Sequence, residues 1–215
     1  MVHDMKYDMT CRVFGIVFTK LLKGYYKENH KDVDINKIAK EIKREYRAII
    51  ERTPGLPKDN YMAGNLKGAA WFFALARKMP GMTPDLMNKM VDELMYSDFM
   101  VKLHKGKREK GTLFSPKEQA KMGNAAKNSE NSEYEMDWKF TYEPGKDDIK
   151  YNITKCGVCR LAERENMLEY LPCMCHMDFS KYEIQGAKLI RTKTLANGDE
   201  ICNFHLVRIN PNEKK

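Results

Sequence analysis

The feature that most constrains the fold is a change in hydrophobic periodicity near residue 134. Before it, apolar residues recur every three or four positions across residues 14–25 and 35–49, which predicts amphipathic helices. After it, residues 136–142 and 149–153 alternate apolar with polar side chains, which predicts strands with two distinct faces. We therefore predict an α+β fold, in which an N-terminal helical layer packs on a C-terminal, mostly antiparallel sheet.

Helix boundaries can be read from local signals. Asp34 is a suitable N-cap for the second helix, and Thr83 followed by Pro84 is a typical start for the fourth. The third helix, residues 59–78, is unusually apolar and is expected at the centre of the helical layer. Its Gly64 and Gly68 share one face, where they either allow close helix contact or leave room for a ligand.

The middle of the chain is polar. The basic run within residues 102–110 predicts a solvated loop, and residues 123–132 have the composition of a linker. We place the boundary there, giving a helical region 1–130 and an α+β region 131–215 that carries the site, or one integrated domain. In the second region we expect a hairpin, a helix over 156–170, and strands over 188–195 and 201–209 joined by a glycine turn.

Composition excludes several classes of function. No apolar run is long enough to span a membrane, and residues 1–8 lack the apolar core of a secretory signal. Six cysteines without such a signal favour a reducing cytoplasm. The net charge is +8, but no nucleic-acid-binding motif accompanies it. We expect a cytoplasmic protein with a small-molecule partner, no nucleic acid, no membrane, and a capacity to form a homo-oligomer.

Three motifs in the C-terminal third resemble the L-2-amino-thiazoline-4-carboxylic acid hydrolase family. They are Thr154-Lys155-Cys156, the Cys-x-x-Asp pattern of Cys175 and Asp178, and the segment from Arg191-Thr192-Lys193-Thr194 through a glycine turn to Cys202-Asn203-Phe204-His205. Trp138 is similar to a tryptophan that opens this region in the family. Asn203 and His205 stand where the family commonly has Asp and Arg. The resemblance implies hydrolysis of a thiazoline ring: water adds at the amidine carbon, the carbon–sulfur bond breaks, and an N-carbamoyl amino acid with a free thiol results.

Candidate residues for this chemistry follow from their types. Cys156 is a candidate nucleophile if it precedes a helix, because the helix N-terminus favours the thiolate. Cys175 is the second candidate, and Asp178 is a candidate general base or a group that orients an amine. The candidate substrate-binding residues are His176, Arg191, Thr194 and Trp138, with Arg191 suited to a carboxylate.

Other interpretations remain open at this point. Asp178 is also a possible helix cap, and Arg191 a possible partner of a surface acid. A structural zinc at Cys156, Cys159, Cys173 and Cys175 is a minority possibility, and so is a redox pair formed by Cys156 and Cys159. The C-terminal pattern also looks like small-molecule-binding domains of the 4-vinyl-reductase type. The alternative to a hydrolase is therefore a non-catalytic sensor domain. For the hydrolase we expect no cofactor.

Overall fold

The computed structural model describes residues 4–29, 34–58 and 60–210. The sequence interpretation of residues 1–3 and the predicted helix start at residue 59 lie outside this range. The helices are α1 Met9–Asn29, α2 Ile35–Glu51, α3 Ala63–Lys78, α4 Pro84–Met95, α5 Asp98–Glu109, α6 Pro116–Glu130, α7 Gly157–Glu165 and α8 Leu171–Ile184. The strands are β1 Lys139–Glu143, β2 Asp148–Lys155, β3 Ala187–Ile190 and β4 Cys202–Arg208.

The four strands form an antiparallel sheet in the order β1-β2-β4-β3. Alternate residues of β2 and β4 are buried, as the period of two predicts, so one face of the sheet is covered by helices. Tyr151 of β2 lies opposite Phe204 of β4, and their rings stack with centroids 4.3 Å apart. The predicted α+β class is confirmed.

The N-terminal helices begin where the sequence indicates. Asp34 accepts a hydrogen bond from the backbone N–H of Lys37 at 3.1 Å, and Thr83 caps α4 through the N–H of Leu86 at 3.2 Å. Every residue from 68 to 76 of α3 is buried, including Trp71, which places this helix at the centre of the helical layer as predicted.

A network of ion pairs joins the helices α2, α3 and α7. Arg52, just after α2, and Arg77 of α3 both bind the buried carboxylate of Glu165 at the end of α7, at 2.5 and 2.8 Å. Both arginines also bind Glu45 of α2. These ion pairs lower the pKa of Glu165 and lower that of Glu45 to about 2, against the opposing effect of burial. The network therefore fixes α7 against the helical layer.

Two predicted loops are helical. The basic run lies in α5, whose first turn is capped by Ser97, and the predicted linker is the second half of α6, which starts at Ser115-Pro116. The linker prediction is wrong because Met122 and Ala126 bury one face of α6, and the Ser129 hydroxyl accepts a hydrogen bond from the N–H of Phe140 in β1 at 3.2 Å. One hydrophobic cluster contains buried residues from both the helical region before residue 130 and the α+β region after it.

The predicted helix 156–170 is also corrected. It ends at Glu165 because Asn166 adopts a left-handed conformation with φ 53°, and a separate helix, α8, follows. Pro172 in the first turn of α8 is a helix-start signal that the cysteine-rich composition masked. Strand β3 ends at Ile190, so Arg191 and Thr194 lie in the connection after it rather than within a strand. No helix among the described residues is long and apolar enough to cross a membrane.

Candidate functional site

A cavity of about 350 Å³ separates the helical layer from the sheet. Helices α1, α3 and α5 form one wall, and α8 with the buried face of the sheet forms the other. The volume is within the range of small-molecule sites, about 300–1,000 Å³. Of the residues predicted for the site, five line this cavity: Trp138, Cys156, Cys175, Asp178 and Arg191. A larger cleft of about 910 Å³ beside α6 is lined by no cysteine.

Cys156 stands between β2 and the first turn of α7, as the sequence predicts. The thiol of Cys159 and the backbone N–H groups at the start of α7 lower the pKa of Cys156, although burial acts in the other direction. A thiolate is the nucleophilic form of cysteine. Cys159 shows the opposite effect: its pKa is raised, because it donates to Cys156 and is itself buried.

The other thiols near the cavity differ from Cys156. Burial and the neighbouring charge of Asp178 raise the pKa of Cys175 to about 12, and burial raises that of Cys202 to about 11. Both are therefore protonated near neutral pH. Of these thiols, Cys156 is the one that its surroundings favour as a thiolate.

Asp178 and Arg191 form an ion pair in the cavity wall. The Arg191 guanidinium donates from Nη1 to Oδ2 of Asp178 at 2.8 Å and from Nη2 to the backbone carbonyl of Cys175 at 2.5 Å. Its side chain is only 3% exposed, and its Cζ lies 5.0 and 4.8 Å from the ring centroids of Phe179 and Phe204. Asp178 lies in the middle of α8 and is not a helix cap. The arginine thus holds the carboxylate of Asp178 and the backbone of Cys175 in place.

Two tyrosines that the sequence interpretation missed also line the cavity. The hydroxyl groups of Tyr151 and Tyr182 are 2.6 Å apart, and burial raises the pKa of both. Both phenols therefore keep their protons near neutral pH. When Tyr151 donates to Tyr182, the proton of Tyr182 remains available to a molecule in the cavity.

The helical layer contributes to the site as well. Gly64 and Gly68 of α3 line the cavity, and a Cβ atom added at either position would meet nothing within 4 Å. The sequence left two interpretations of this glycine pair, close contact between helices and room for a ligand. The structure shows open space beside both glycines. Asn65, between them, and Lys181 of α8 complete the polar lining on this side. The spacing of the two glycines could have predicted this wall of the cavity from the sequence. No pattern in the sequence indicated that Asn65 or Lys181 lines it.

Four of the candidate residues do not line the cavity: Cys159, Cys173, His176 and Thr194. His176 faces outward, where its Nε2 lies 2.9 Å from Asp92, and Thr194 accepts a hydrogen bond from the N–H of Asn197 in a short 3₁₀ turn. Cys173 donates to the carbonyl of Pro84. The four cysteines of the zinc hypothesis are therefore not brought together, and the described residues contain no group of three or more metal-binding side chains.

Trp138 and Gly157 shape the approach to Cys156. A Cβ atom at position 157 would lie 2.2 Å from the carbonyl oxygen of Met136 and 2.9 Å from the Trp138 ring. The chain after Cys156 can therefore pack this closely only with glycine. On its other side, Cys156 borders an outer cleft of about 730 Å³ that Cys159 and Lys155 also line.

One of three comparisons with known proteins found a match. The model of the L-2-amino-thiazoline-4-carboxylic acid hydrolase family matches residues 64–206, two thirds of the chain. The chain belongs to this family. The matched segment begins with the glycine pair of α3 and ends in β4, so it includes all the cavity walls except α1. Searches of the curated proteins and of the solved structures found no match.

Proposed function

We propose that this member of the L-2-amino-thiazoline-4-carboxylic acid hydrolase family opens a small cyclic amidine of the thiazoline type, with Cys156 as the nucleophile. The family is named for a hydrolase. The observation that carries the choice of residue is the position of Cys156, which lines the cavity immediately before the first turn of α7, where a helix N-terminus favours a thiolate. Burial instead raises the pKa of Cys175 and of Cys202. The unbridged cysteines suit a reducing compartment, and we place the reaction in the cytoplasm.

In the first half of the proposed reaction, the Cys156 thiolate attacks the amidine carbon of the ring. The ring carbon–sulfur bond breaks, and the departing thiolate accepts a hydrogen bond from the Tyr182 hydroxyl. The substrate is then an open chain with a thiolate at one end, attached through its amidine carbon to Cys156. Asp178 accepts hydrogen bonds from the amidine N–H groups and orients this carbon, since Arg191 fixes the carboxylate at 2.8 Å.

In the second half, water attacks the same carbon. One proton of the water passes to the departed sulfur, the remaining hydroxyl stays on the carbon and gives its proton to a neighbouring nitrogen, and the bond to Cys156 breaks to restore the Cys156 thiolate. The product is an N-carbamoyl amino acid with a free thiol, and one water molecule is consumed in each turnover. The Cys159 thiol and the N–H groups at the start of α7 stabilise the departing thiolate.

The test is turnover of L-2-amino-thiazoline-4-carboxylic acid by the wild type, Cys156→Ser and Cys175→Ser proteins. Release of one thiol per product molecule is followed with a chromogenic thiol reagent, and the product is identified by its gain of one water in mass. We expect Cys156→Ser to abolish turnover and Cys175→Ser to retain most of it. Circular dichroism of both variants checks that the fold is intact.

The opposite pattern, with activity lost only in Cys175→Ser, would overturn the assignment of the nucleophile. Binding of the thiazoline by the wild type protein without any turnover would favour the non-catalytic sensor instead. Calorimetric titration on the same samples separates that outcome from a protein that does not bind this compound.

A further inference from the structure

The cavity-facing side of α8 carries an ordered series of polar groups. Cys175, Asp178 and Lys181 follow at intervals of three residues, and Tyr182 lies beside the last. Three residues of helix correspond to about 4.5 Å along the axis. A ligand the size of a single substituted ring can therefore touch Asp178 with one end and Lys181 with the other.

The charges along this series are unequal. Asp178 is the one carboxylate among the described residues that line the cavity, and Arg191 already binds it. Lys181 donates from Nζ to the neutral Oδ1 of Asn65 at 3.2 Å and lies 5.4 Å from the centre of the Tyr182 ring. No carboxylate of the described residues is within ion-pair distance of Lys181. The cavity thus contains one cation whose charge the surrounding protein does not balance.

Arg191 is less able to bind a ligand. Its side chain is 3% exposed, and both Nη atoms already donate to Asp178 and to the Cys175 carbonyl. The sequence-based expectation assigned the substrate carboxylate to Arg191. The structure gives that residue a positioning role. Lys181 lies between this cavity and a neighbouring cleft of about 530 Å³, and among the described residues it is the lysine that a ligand in the cavity can reach.

We propose that Lys181, held by Asn65, binds an anionic group of the substrate and selects ring compounds that carry a carboxylate. This inference rests on the proposed function for the identity of the ring. A hydrogen bond to a charged group is worth about 1.5–3 kcal/mol, and the attraction between an ammonium and a carboxylate is stronger in a partly buried site than in water. Loss of the contact corresponds to roughly a ten- to hundredfold change in binding.

The experiment compares two probes on four proteins. The probes are L-2-amino-thiazoline-4-carboxylic acid and 2-amino-thiazoline, which lacks the carboxylate. The proteins are the wild type, Lys181→Met, Lys181→Arg and Lys188→Met, the last removing the same charge from an exposed position on β3. We expect Lys181→Met to raise KM for the acid roughly ten- to hundredfold with a small change in kcat. It should leave the ring that lacks the carboxylate unaffected, and Lys181→Arg should restore much of the loss.

Equal effects of Lys181→Met on both probes, or no effect on either, would overturn the inference. Calorimetric titration of both probes measures binding of the carboxylate separately from turnover. The wild type protein could turn over neither probe and yet bind the acid more tightly than 2-amino-thiazoline. If Lys181→Met then binds the two probes equally, the proposed function fails and the carboxylate site stands. A wild type protein that binds neither probe overturns both.

Discussion

Replacement of Gly68 by alanine is expected to stabilise the protein and weaken ligand binding at the same time. Gly68 lies within α3, where glycine costs about 0.5–1 kcal/mol relative to alanine. The new Cβ would meet nothing within 4 Å, so no steric cost offsets this gain. The free energy of unfolding should rise by about 0.5–1 kcal/mol, which corresponds to about 1–4 °C in Tm for a chain of this size.

The methyl group that Gly68→Ala adds would point into the cavity, because Gly68 is part of its wall. A ring packed against α3 would then be displaced, and we expect its affinity to fall by up to about tenfold, equivalent to about 1.4 kcal/mol. Scanning calorimetry measures the first effect, and titration with L-2-amino-thiazoline-4-carboxylic acid measures the second.

Gly24→Ala is the matched control. Gly24 is also helical and also has open space around its Cβ position, but it lies on α1 away from the cavity. This variant should gain similar stability with unchanged affinity. Destabilisation by Gly68→Ala would refute the assignment of open space at this position, and equal affinities for the two variants would refute the location of the ligand.

Three further outcomes follow from the structure. Gly157→Ala should lose roughly 1–3 kcal/mol of unfolding free energy in urea titrations, because its Cβ would overlap the Met136 carbonyl; an unchanged midpoint would contradict this packing. Cys159→Ala should raise the pKa of Cys156, measured as the pH midpoint of its alkylation by iodoacetamide, and an unaltered midpoint would show that the Cys159 thiol does not stabilise the thiolate. Since the pKa of Glu45 is lowered from 4.5 to about 2 in the fold, its contribution to stability is complete above the higher value and is lost as the pH falls towards 2. Between these two pH values, the free energy of unfolding of Glu45→Gln should therefore change less than that of the wild type protein. Identical curves would show that the Glu45 carboxylate does not cause the loss of stability.

Much of the fold could be predicted because local signals and burial agree. The Asp34 and Thr83 caps and the alternation in β2 act within a few residues, so the sequence alone specifies them. The helix over residues 123–130 could not be predicted in this way, because it depends on contacts with β1 such as that between Ser129 and Phe140. Gly123, Asn124, Asn128 and Ser129 are weak helix formers, and they obscure the helix when those contacts are not known.

The site was predictable to a similar extent. Cys156 could be located because the end of a strand and the start of a helix are both visible in the sequence around it. The direction of His176 could not be predicted from the sequence, since in α8 its side chain points about 100° away from that of Cys175. Lys181 was missed for a related reason: only the three-dimensional structure shows that this residue of α8 lines the cavity and donates a hydrogen bond to Asn65 of α3.

Cys156 borders two separate spaces, the cavity and the outer cleft, whereas Cys175 borders the cavity and not that cleft. An alkylating reagent can approach Cys156 from outside while the cavity is filled, so a bound molecule need not shield it. Shielding of Cys175 requires only that the cavity be occupied. The two thiols are therefore independent reporters: labelling of Cys175 measures occupancy, and labelling of Cys156 measures the state of the helix start around its sulfur.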